Sequence, residues 1–374
     1  MLGEFSQMEM DTDVGLISLK QYLQEQSPDK PYKIVMFVNT TSDIRDVGDN
    51  KRTEFELFNK TAKSLGLEIH HVDFVGHFLS ESNGQLFVNS LTFDDNGNAV
   101  LPAEDGDAEY KKPIPIDKEN TLIIPRGLGT PGFTSNRYWV DTISLLEQMG
   151  FSTVPSVNTW NMCNSKFFCN ELFKLNNLRT PKTVPITYSD DTPRAMKELG
   201  DKYPVILKAS SGSQTGVGVV ISESEKSLHA TVQMIKLLNK NIDLVLQEYI
   251  KIDYDVRAVV LDGKVIASMK RNVAEGDFRS NASLGATTEE HELTELEKFE
   301  CENAAKLVNG KLIGVDFMPA KNREKEQPYI LEVNASPGFA GIQNTVKSKD
   351  VLKEILKHFM NRDNWTWLLT TKVV

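Results

Sequence analysis

The chain has 374 residues, a formal net charge of −10, 40% hydrophobic residues and 25% charged residues. That length predicts two or three lobes with ample core, and the composition is that of a soluble globular protein. The acidic balance argues against broad nucleic-acid binding, no apolar run reaches a membrane span, and the polar stretch from Met1 to Gly15 lacks the form of a secretory signal. Cys163, Cys169 and Cys301 have neither metal-ligand spacing nor an even count, which suits reduced thiols in the cytoplasm.

Residues 1–30 are polar and weakly periodic, and are expected to form a loosely ordered arm or a short surface helix. Lys33 to Val38 is a predicted buried strand. Phe55, Phe58, Ala62 and Leu65 fall at helical spacing before Gly66, and Ile69 to Val75 is a second strand. This βαβ order implies a small parallel sheet, and His70-His71 is read as structural within it. Residues 80–120, with one apolar run near Gln85 to Val88, read as a hairpin or long insertion. Thr121 to Arg126 is a third strand, followed by a glycine-rich loop through Gly132. Ligands bind outside the carboxyl ends of strands in open α/β sheets. Arg126 is thus a candidate for an anionic substrate group, with a plain surface arginine as the alternative.

Val140, Ile143, Leu146 and Met149 predict a helix ended by Gly150, with a short strand near Thr153 to Val157. Asn164 is the expected N-cap of a helix from Ser165 to Leu175 that turns Phe168, Leu172 and Leu175 inward. Lys166 lies in its first turn, where the helix dipole disfavours a cation unless it reaches an anion such as phosphate.

Residues 181–250 read as a compact α/β unit. The strand Pro204 to Lys208 runs into Ala209-Ser210-Ser211-Gly212-Ser213-Gln214-Thr215-Gly216, and Val217-Gly218-Val219-Val220-Ile221 returns. A strand follows the glycines and the lysine precedes them, so this is no Walker loop. Such a tip can fold over phosphates through its N–H groups and hydroxyls, or be a plain hairpin. In Leu244 to Ile250 an apolar strand shows Gln247-Glu248 and then returns to Tyr249-Ile250, a pattern that suits an adenine slot. Asp255 and Arg257 share one strand face and Val256, Ala258 and Val260 the other; Asp262-Gly263 turns the chain into Lys264 to Lys270. Basic residues in the following loop, Lys270-Arg271 and Glu275 to Asn281, can neutralise a phosphoryl group, or the loop is simply solvated. Thr294 and Glu297 have capping-box spacing ahead of a helix from Glu295 to Val308, closed by Asn309-Gly310.

Two strands then carry acids: Gly314-Val315-Asp316-Phe317-Met318 and Tyr329-Ile330-Leu331-Glu332-Val333-Asn334, the second running into Ala335-Ser336-Pro337-Gly338. Strand alternation puts Ile330, Glu332 and Asn334 on one face, and pairing the strands brings Asp316 to them. Three oxygen donors, two of them anionic, suit Mg²⁺; the alternative is capped or salt-bridged residues of a hairpin. A helix around Val351 to Phe359 and a Trp-bearing tail complete the chain.

Taken in order, the helix-start lysine, the strand-end lysine with its Gly/Ser loop, Gln-Glu-Tyr-Ile, Asp-Val-Arg, Lys-Arg, Gly-Asp-Phe-Arg-Ser-Asn, Gly-Val-Asp and Leu-Glu-Val-Asn-Ala-Ser-Pro-Gly resemble the ATP-grasp superfamily. Within it the chain is most similar to RimK-like ligases, a family known for adding glutamates to the C-terminus of a small-subunit ribosomal protein. The likeness runs from about Leu122 to Thr345, and residues 1–120 match poorly.

The resemblance implies an α/β fold of the α+β ATP-grasp kind. A flexible arm (1–30) precedes a small parallel-sheet domain (31–155). A central lid subdomain (156–247), a C-terminal antiparallel-sheet subdomain (248–360) and a tail (361–374) follow, with ATP between the two subdomains. It implies that Lys166 and Lys208 hold the ATP phosphates beneath the loop of Gly212, Ser213, Gln214, Gly216 and Gly218. Gln247, Glu248, Tyr249 and Ile250 bind adenine, and Asp255 the ribose. Arg279 and Asn281 approach the terminal phosphate, Arg257 and Lys270 are further anion contacts, and Asp316, Glu332 and Asn334 carry two Mg²⁺ ions, with Mn²⁺ an alternative.

The chemistry implied is amide formation through an acyl phosphate. Glutamate is the favoured amino acid, a protein or peptide carboxylate the acceptor, and a homo-oligomer the expected assembly; neither nucleic acid nor membrane is a partner. A small-molecule ligase of the glutathione synthetase kind and a non-catalytic nucleotide-binding scaffold are the alternatives. The chain departs from the family pattern at Thr215, which lengthens the phosphate loop, and at Ala340 and Gln343, where acids are usual.

Overall fold

Lys33–Val38 forms β1, buried from Ile34 onward, as a parallel strand covered on both faces must be. The computed structural model describes residues 32–38, 50–73, 78–92, 111–126, 137–211, 219–273 and 287–365. β2 (Glu68–Asp73), β6 (Thr121–Pro125) and β7 (Ser152–Thr153) join β1 in a parallel sheet of order β2-β1-β6-β7. Helix α1 (Asn50–Ser64) links β1 to β2 and stops before Gly66, whose φ of 67° continues no helix. Helix α2 (Arg137–Gln148) leads into β7, which is shorter than the predicted strand. Within 80–120, β3 (Leu79–Ser82), β4 (Gln85–Leu91) and β5 (Lys111–Ile116) build a three-stranded antiparallel sheet, so the expected hairpin gains a third strand.

Alternate residues of β1 feed two cores. Val35 and Phe37 pack with Val88, Ile116, Trp139 and Ile143. Ile34, Met36 and Val38 face Phe58, Phe339 and the C-terminal sheet.

The central unit is an antiparallel sheet of order β10-β9-β11-β8, made of β8 (Thr183–Ile186), β9 (Val205–Ala209), β10 (Val219–Ser222) and β11 (Leu244–Glu248). Helices α5 (Thr192–Leu199) and α6 (Glu225–Leu238) cover one face, packing on Val184, Leu207, Leu244 and Leu246. The alternate residues Thr183, Ile206, Lys208, Val245 and Gln247 point to the other face. Ahead of this unit stand α3 (Val157–Asn164) and α4 (Lys166–Leu175). Ser165, rather than Asn164, caps α4, its hydroxyl accepting from the Phe168 N–H. The inward face differs in part from the expected one: Cys169 and Phe173 are buried and Leu172 packs in the same core, while Phe168 and Leu175 are exposed.

The C-terminal sheet has the order β14-β13-β12-β15-β16, from β12 (Tyr254–Leu261), β13 (Lys264–Asn272), β14 (Thr288–Glu290), β15 (Leu312–Met318) and β16 (Tyr329–Asn334). Asp262 and Gly263 turn β12 into β13 with φ of 47° and 77°. Helix α7 (Glu295–Leu307) starts at the expected Thr294/Glu297 capping box and lays Cys301, Ala304 and Ala305 on the sheet. Helices α8 (Ala340–Thr345) and α9 (Val351–Phe359) close the opposite face together with the N-terminal sheet.

Two bulges set which side chains share that face. One lies opposite Val259 and Val260, where Ile266 of β13 is the extra residue; the other lies on β16, opposite Asp316 and Phe317. Phe317 pairs with Ile330 and Asp316 with Glu332, so Leu331 is the extra residue. Ile330 therefore joins Val333 in the core under α7, not the Glu332 face that simple alternation predicts. Among the described residues no helix is long and apolar enough to cross a membrane.

Candidate active site

Asp316 and Glu332 are register partners across β15 and β16, and Gly314 pairs with Asn334. Antiparallel partners share a face, so the two carboxylates and the amide stand together. Gly314 permits this corner: a Cβ there would lie 2.8 Å from Pro337 Cβ, and without one the Ser336-Pro337 turn folds back onto β15. The carboxylates differ in environment. Asp316 is buried, and it accepts from Arg257 Nε at 2.7 Å and Arg257 Nη2 at 2.6 Å, with Arg271 Nη2 at 3.0 Å. Burial alone would push its carboxyl up; the two guanidiniums override burial and hold it well below the usual carboxylate range. Glu332 is one-third exposed; its neighbours are Lys166 Nζ at 3.6 Å and Asn334 Nδ2 at 3.4 Å.

Lys166 is the first residue of α4, and its amide donates to the Ser210 carbonyl at 2.8 Å, tying the helix start to the end of β9. Glu332 supplies the anion that a cation at a helix N-terminus needs. From the other sheet Lys208 reaches Gln247 Oε1 at 2.7 Å. Burial pushes Lys208 down to about 8, with Glu332 pulling it back up and Lys166 repelling it further. Helix start, central sheet and C-terminal sheet thus converge on one polar seam, with Lys166 and Lys208 beside Glu332.

Glu248 ends β11; its N–H donates to the Lys182 carbonyl at 2.9 Å and its carboxylate accepts from the Lys182 N–H at 2.8 Å. Tyr249 and Ile250 then leave the strand as a half-buried irregular stretch. Arg126 lies across the seam, its guanidinium 4.8 Å from the Phe339 ring centroid and 5.8 Å from that of Phe58. The Ser336 hydroxyl donates to the Arg126 carbonyl at 3.3 Å, so the end of β6 meets the turn that follows β16.

Two residues of the expected nucleotide and anion contacts stand in ion pairs of the sheet. Asp255 is buried in the sheet with both oxygens accepting from Arg271 at 2.7 Å. Lys270 pairs with Val256 and so lies on the α7 face, away from Asp316. Its ammonium meets Glu289 at 2.8 Å and the Tyr254 ring at 4.5 Å. Arg271, expected with Lys270 among the basic residues of a loop, stands instead on β13 as the partner of Asp255 and lies on the site face. The signal that finds it is hairpin register: an unbulged turn at Asp262-Gly263 sets Lys270 opposite Asp255, and the bulge at Val259 substitutes Arg271. Gly212, Ser213, Gln214, Gly216, Gly218, Arg279 and Asn281 lie outside the described residues, as do the 1–30 arm and residues 366–374.

Two carboxylates and an amide are hard oxygen ligands of the kind Mg²⁺ takes, and Asp316 stays deprotonated as a ligand must. Glu332, held by contacts of 3.4 Å or longer, is free to turn toward an ion. The donor set therefore fits a divalent cation, and the flanking lysines fit polyphosphate. Cys169 lies beside Lys166 and Glu332, but burial pushes its thiol up to about 12, which removes it as a nucleophile at neutral pH.

Known proteins are similar to this chain in sequence and in fold. A "probable alpha-L-glutamate ligase" of Marinomonas sp. is 34% identical over 249 residues, covering 66% of this chain and 77% of the relative. The fold is similar to that of the ATP-grasp ligase PsnB, solved with a minimal precursor, Mg and ADP: TM-score 0.56, 18% identity, 89% of this chain and 98% of that one. It is also similar to a RiPP-associated ATP-grasp ligase of Chryseobacterium gregarium solved with ADP and a leader and core peptide: TM-score 0.60, 13% identity, 90% and 100% covered. The sequence profile of the RimK-like ATP-grasp domain matches residues 163–359, which hold both lysines and the whole oxygen cluster, and the chain belongs to that family.

Proposed function

We propose that this ATP-grasp carboxylate–amine ligase uses ATP and Mg²⁺ to add glutamate, or a similar amino acid, to the carboxyl end of a protein or peptide in the cytoplasm. The observation that carries the reading is the convergence of Lys166, Lys208, Glu332, Asp316 and Asn334 from four separate segments. The glutamate ligase name of the Marinomonas relative supports the amino acid, and the peptide-bound neighbours support the acceptor class.

In this reading the acceptor carboxylate oxygen bonds to the γ-phosphorus and ADP leaves. The amino-acid nitrogen then bonds to the acyl carbon, phosphate departs with the C–O bond pair, and the nitrogen loses a proton. Lys166 and Lys208 offset the phosphate charge and orient the chain of phosphates. Asp316, Glu332 and Asn334 would hold the metal, which when bound neutralises charge gathering on the phosphoryl oxygens. Arg257, on the same face, takes up anionic charge near Asp316. Arg126, at the meeting point of β6 and the Ser336–Phe339 turn, is the proposed contact for the acceptor carboxylate.

The test incubates purified protein with ATP, Mg²⁺ and single amino acids against a panel of proteins and peptides, read by intact-mass spectrometry. The expected result is one or more added glutamyl masses, localised to an acceptor C-terminus. Turnover confined to small-molecule acceptors, or ATP binding with no turnover, would overturn it.

A pH effect follows from Lys208. Its ammonium form prevails below about 8 and is lost above it. A polyanion favours the charged form, so Kd for ATP, measured without divalent ion, is expected to rise about tenfold per unit as pH climbs through that value. Lys208→Met is expected to bind weakly with a flat profile. A wild-type profile equally flat from pH 7 to 9.5 would remove Lys208 from the phosphates.

A further inference from the structure

Gln247 lies between two register neighbours of different character. Thr183 is its direct partner on β8, and Lys208 stands diagonally across β9, opposite Val245. All three side chains share the face turned away from α5 and α6. Lys208 Nζ donates to Gln247 Oε1 at 2.7 Å, Gln247 Nε2 donates to Thr183 Oγ1 at 2.8 Å, and Thr183 Oγ1 donates to the Pro181 carbonyl at 3.0 Å.

The direction of this chain is over-determined. A carbonyl only accepts, so the single hydroxyl proton of Thr183 goes to Pro181 and its oxygen is left to accept from Gln247. That sets the amide nitrogen toward Thr183 and the amide oxygen toward Lys208. From the other end, an ammonium only donates and demands the same orientation. Gln247 is buried and Lys208 half-buried, so the amide has little water to turn to. Pro181 is itself fixed, because its carbonyl also accepts from Asn170 Nδ2, on α4, at 3.0 Å.

We propose that Thr183 and Gln247 are positioning residues that aim the Lys208 ammonium at the phosphates of the nucleotide. The inference rests on the reading of Lys208 as a phosphate ligand. One of the three ammonium N–H bonds is spent on Gln247, which fixes the direction of the other two. Without the threonine hydroxyl the amide nitrogen loses its acceptor, the amide can invert, and an inverted amide presents donors to an ammonium. Thr183 thus controls a phosphate contact that it does not itself make.

The experiment measures Kd for ATP with Mg²⁺ and Kd for adenosine by calorimetry. The proteins are wild type, Thr183→Val, Thr183→Ser, Lys208→Ala and the Thr183→Val/Lys208→Ala double variant. Valine keeps the shape and removes the hydroxyl. Thr183→Val is expected to weaken ATP binding about fivefold, leave adenosine binding within a factor of two, and be rescued by serine. In the Lys208→Ala background the same change is expected to have no further effect on ATP, since the lysine it acts through is gone. Undiminished ATP binding by Lys208→Ala would overturn the phosphate reading itself. Weakened binding by Lys208→Ala with unchanged binding by Thr183→Val would overturn the positioning role alone. An equal loss of ATP and adenosine in Thr183→Val would show a distorted sheet and also sink the proposal.

Discussion

Replacing Glu332 with alanine is expected to lower kcat about a thousandfold while the chain stays folded. The two halves of that expectation come from different observations. On the chemical side, Glu332 is the carboxylate of the oxygen cluster best placed to turn toward a cation. Its neighbours stand at 3.4 Å and 3.6 Å, longer than a firm hydrogen bond, whereas Asp316 is clasped by two guanidiniums. Loss of a metal ligand removes several kcal/mol of charge stabilisation from phosphoryl transfer, and each 1.36 kcal/mol is about tenfold. On the structural side, a one-third exposed side chain with loose contacts contributes about 1 kcal/mol or less to stability. Asp316→Ala would not separate these effects, because it also strips a buried charge from Arg257 and Arg271. The measurements are ligation rate, thermal midpoint and an Mn²⁺ titration followed by electron paramagnetic resonance. Full turnover, or an unchanged Mn²⁺ affinity, would defeat the metal assignment.

Local signals were legible wherever one element decides its own geometry. The Thr294/Glu297 box, the Asp262-Gly263 turn and the Val351–Phe359 helix all formed as their residues dictate. The pairing of β15 with β16 was legible too, because Asp316 and Glu332 are charged residues in otherwise apolar strands and must share a face. What was not legible depends on single extra residues. Alternation assumes that a strand keeps its period of two, and a bulge breaks it with no fixed sequence mark. Leu331 hides Ile330 from the Glu332 face, and the irregularity at Val259 exchanges Lys270 for Arg271. The Ser165 cap is a milder case: Asn and Ser are nearly equal caps, so two adjacent residues compete for the position. Gln343, a departure from the family's usual acid, has a structural use here, since its side chain accepts from the Leu352 N–H at the start of α9. Nothing in the structure explains Ala340.

Arg271→Met is expected to cost about 3–5 kcal/mol of stability at neutral pH and to take ligation with it. Arg271 is the keystone between two buried carboxylates: Nε and Nη2 bind both oxygens of Asp255, and Nη2 also reaches Asp316. Methionine fills similar volume, so the loss reports charge rather than a cavity. Asp316 keeps its bidentate Arg257, but Asp255 is left buried without the guanidinium that compensated it. The pH dependence identifies the mechanism. In the wild type the Asp316 carboxyl is depressed, so its stabilisation is present above the unfolded value and is lost only as pH falls toward the folded one. In Arg271→Met the buried Asp255 is expected to be raised instead, because burial now acts without the arginine. A raised acid penalises the fold while it is ionised, and the penalty shrinks as pH drops and the group takes a proton. The deficit against wild type, read from urea midpoints, is therefore expected to be largest near pH 7 and to narrow toward pH 4. Asp255→Asn in the same background should recover part of the loss at pH 7 by removing the charge outright. A deficit that is constant across that range, and untouched by Asp255→Asn, would mean that Arg271 contributes packing only.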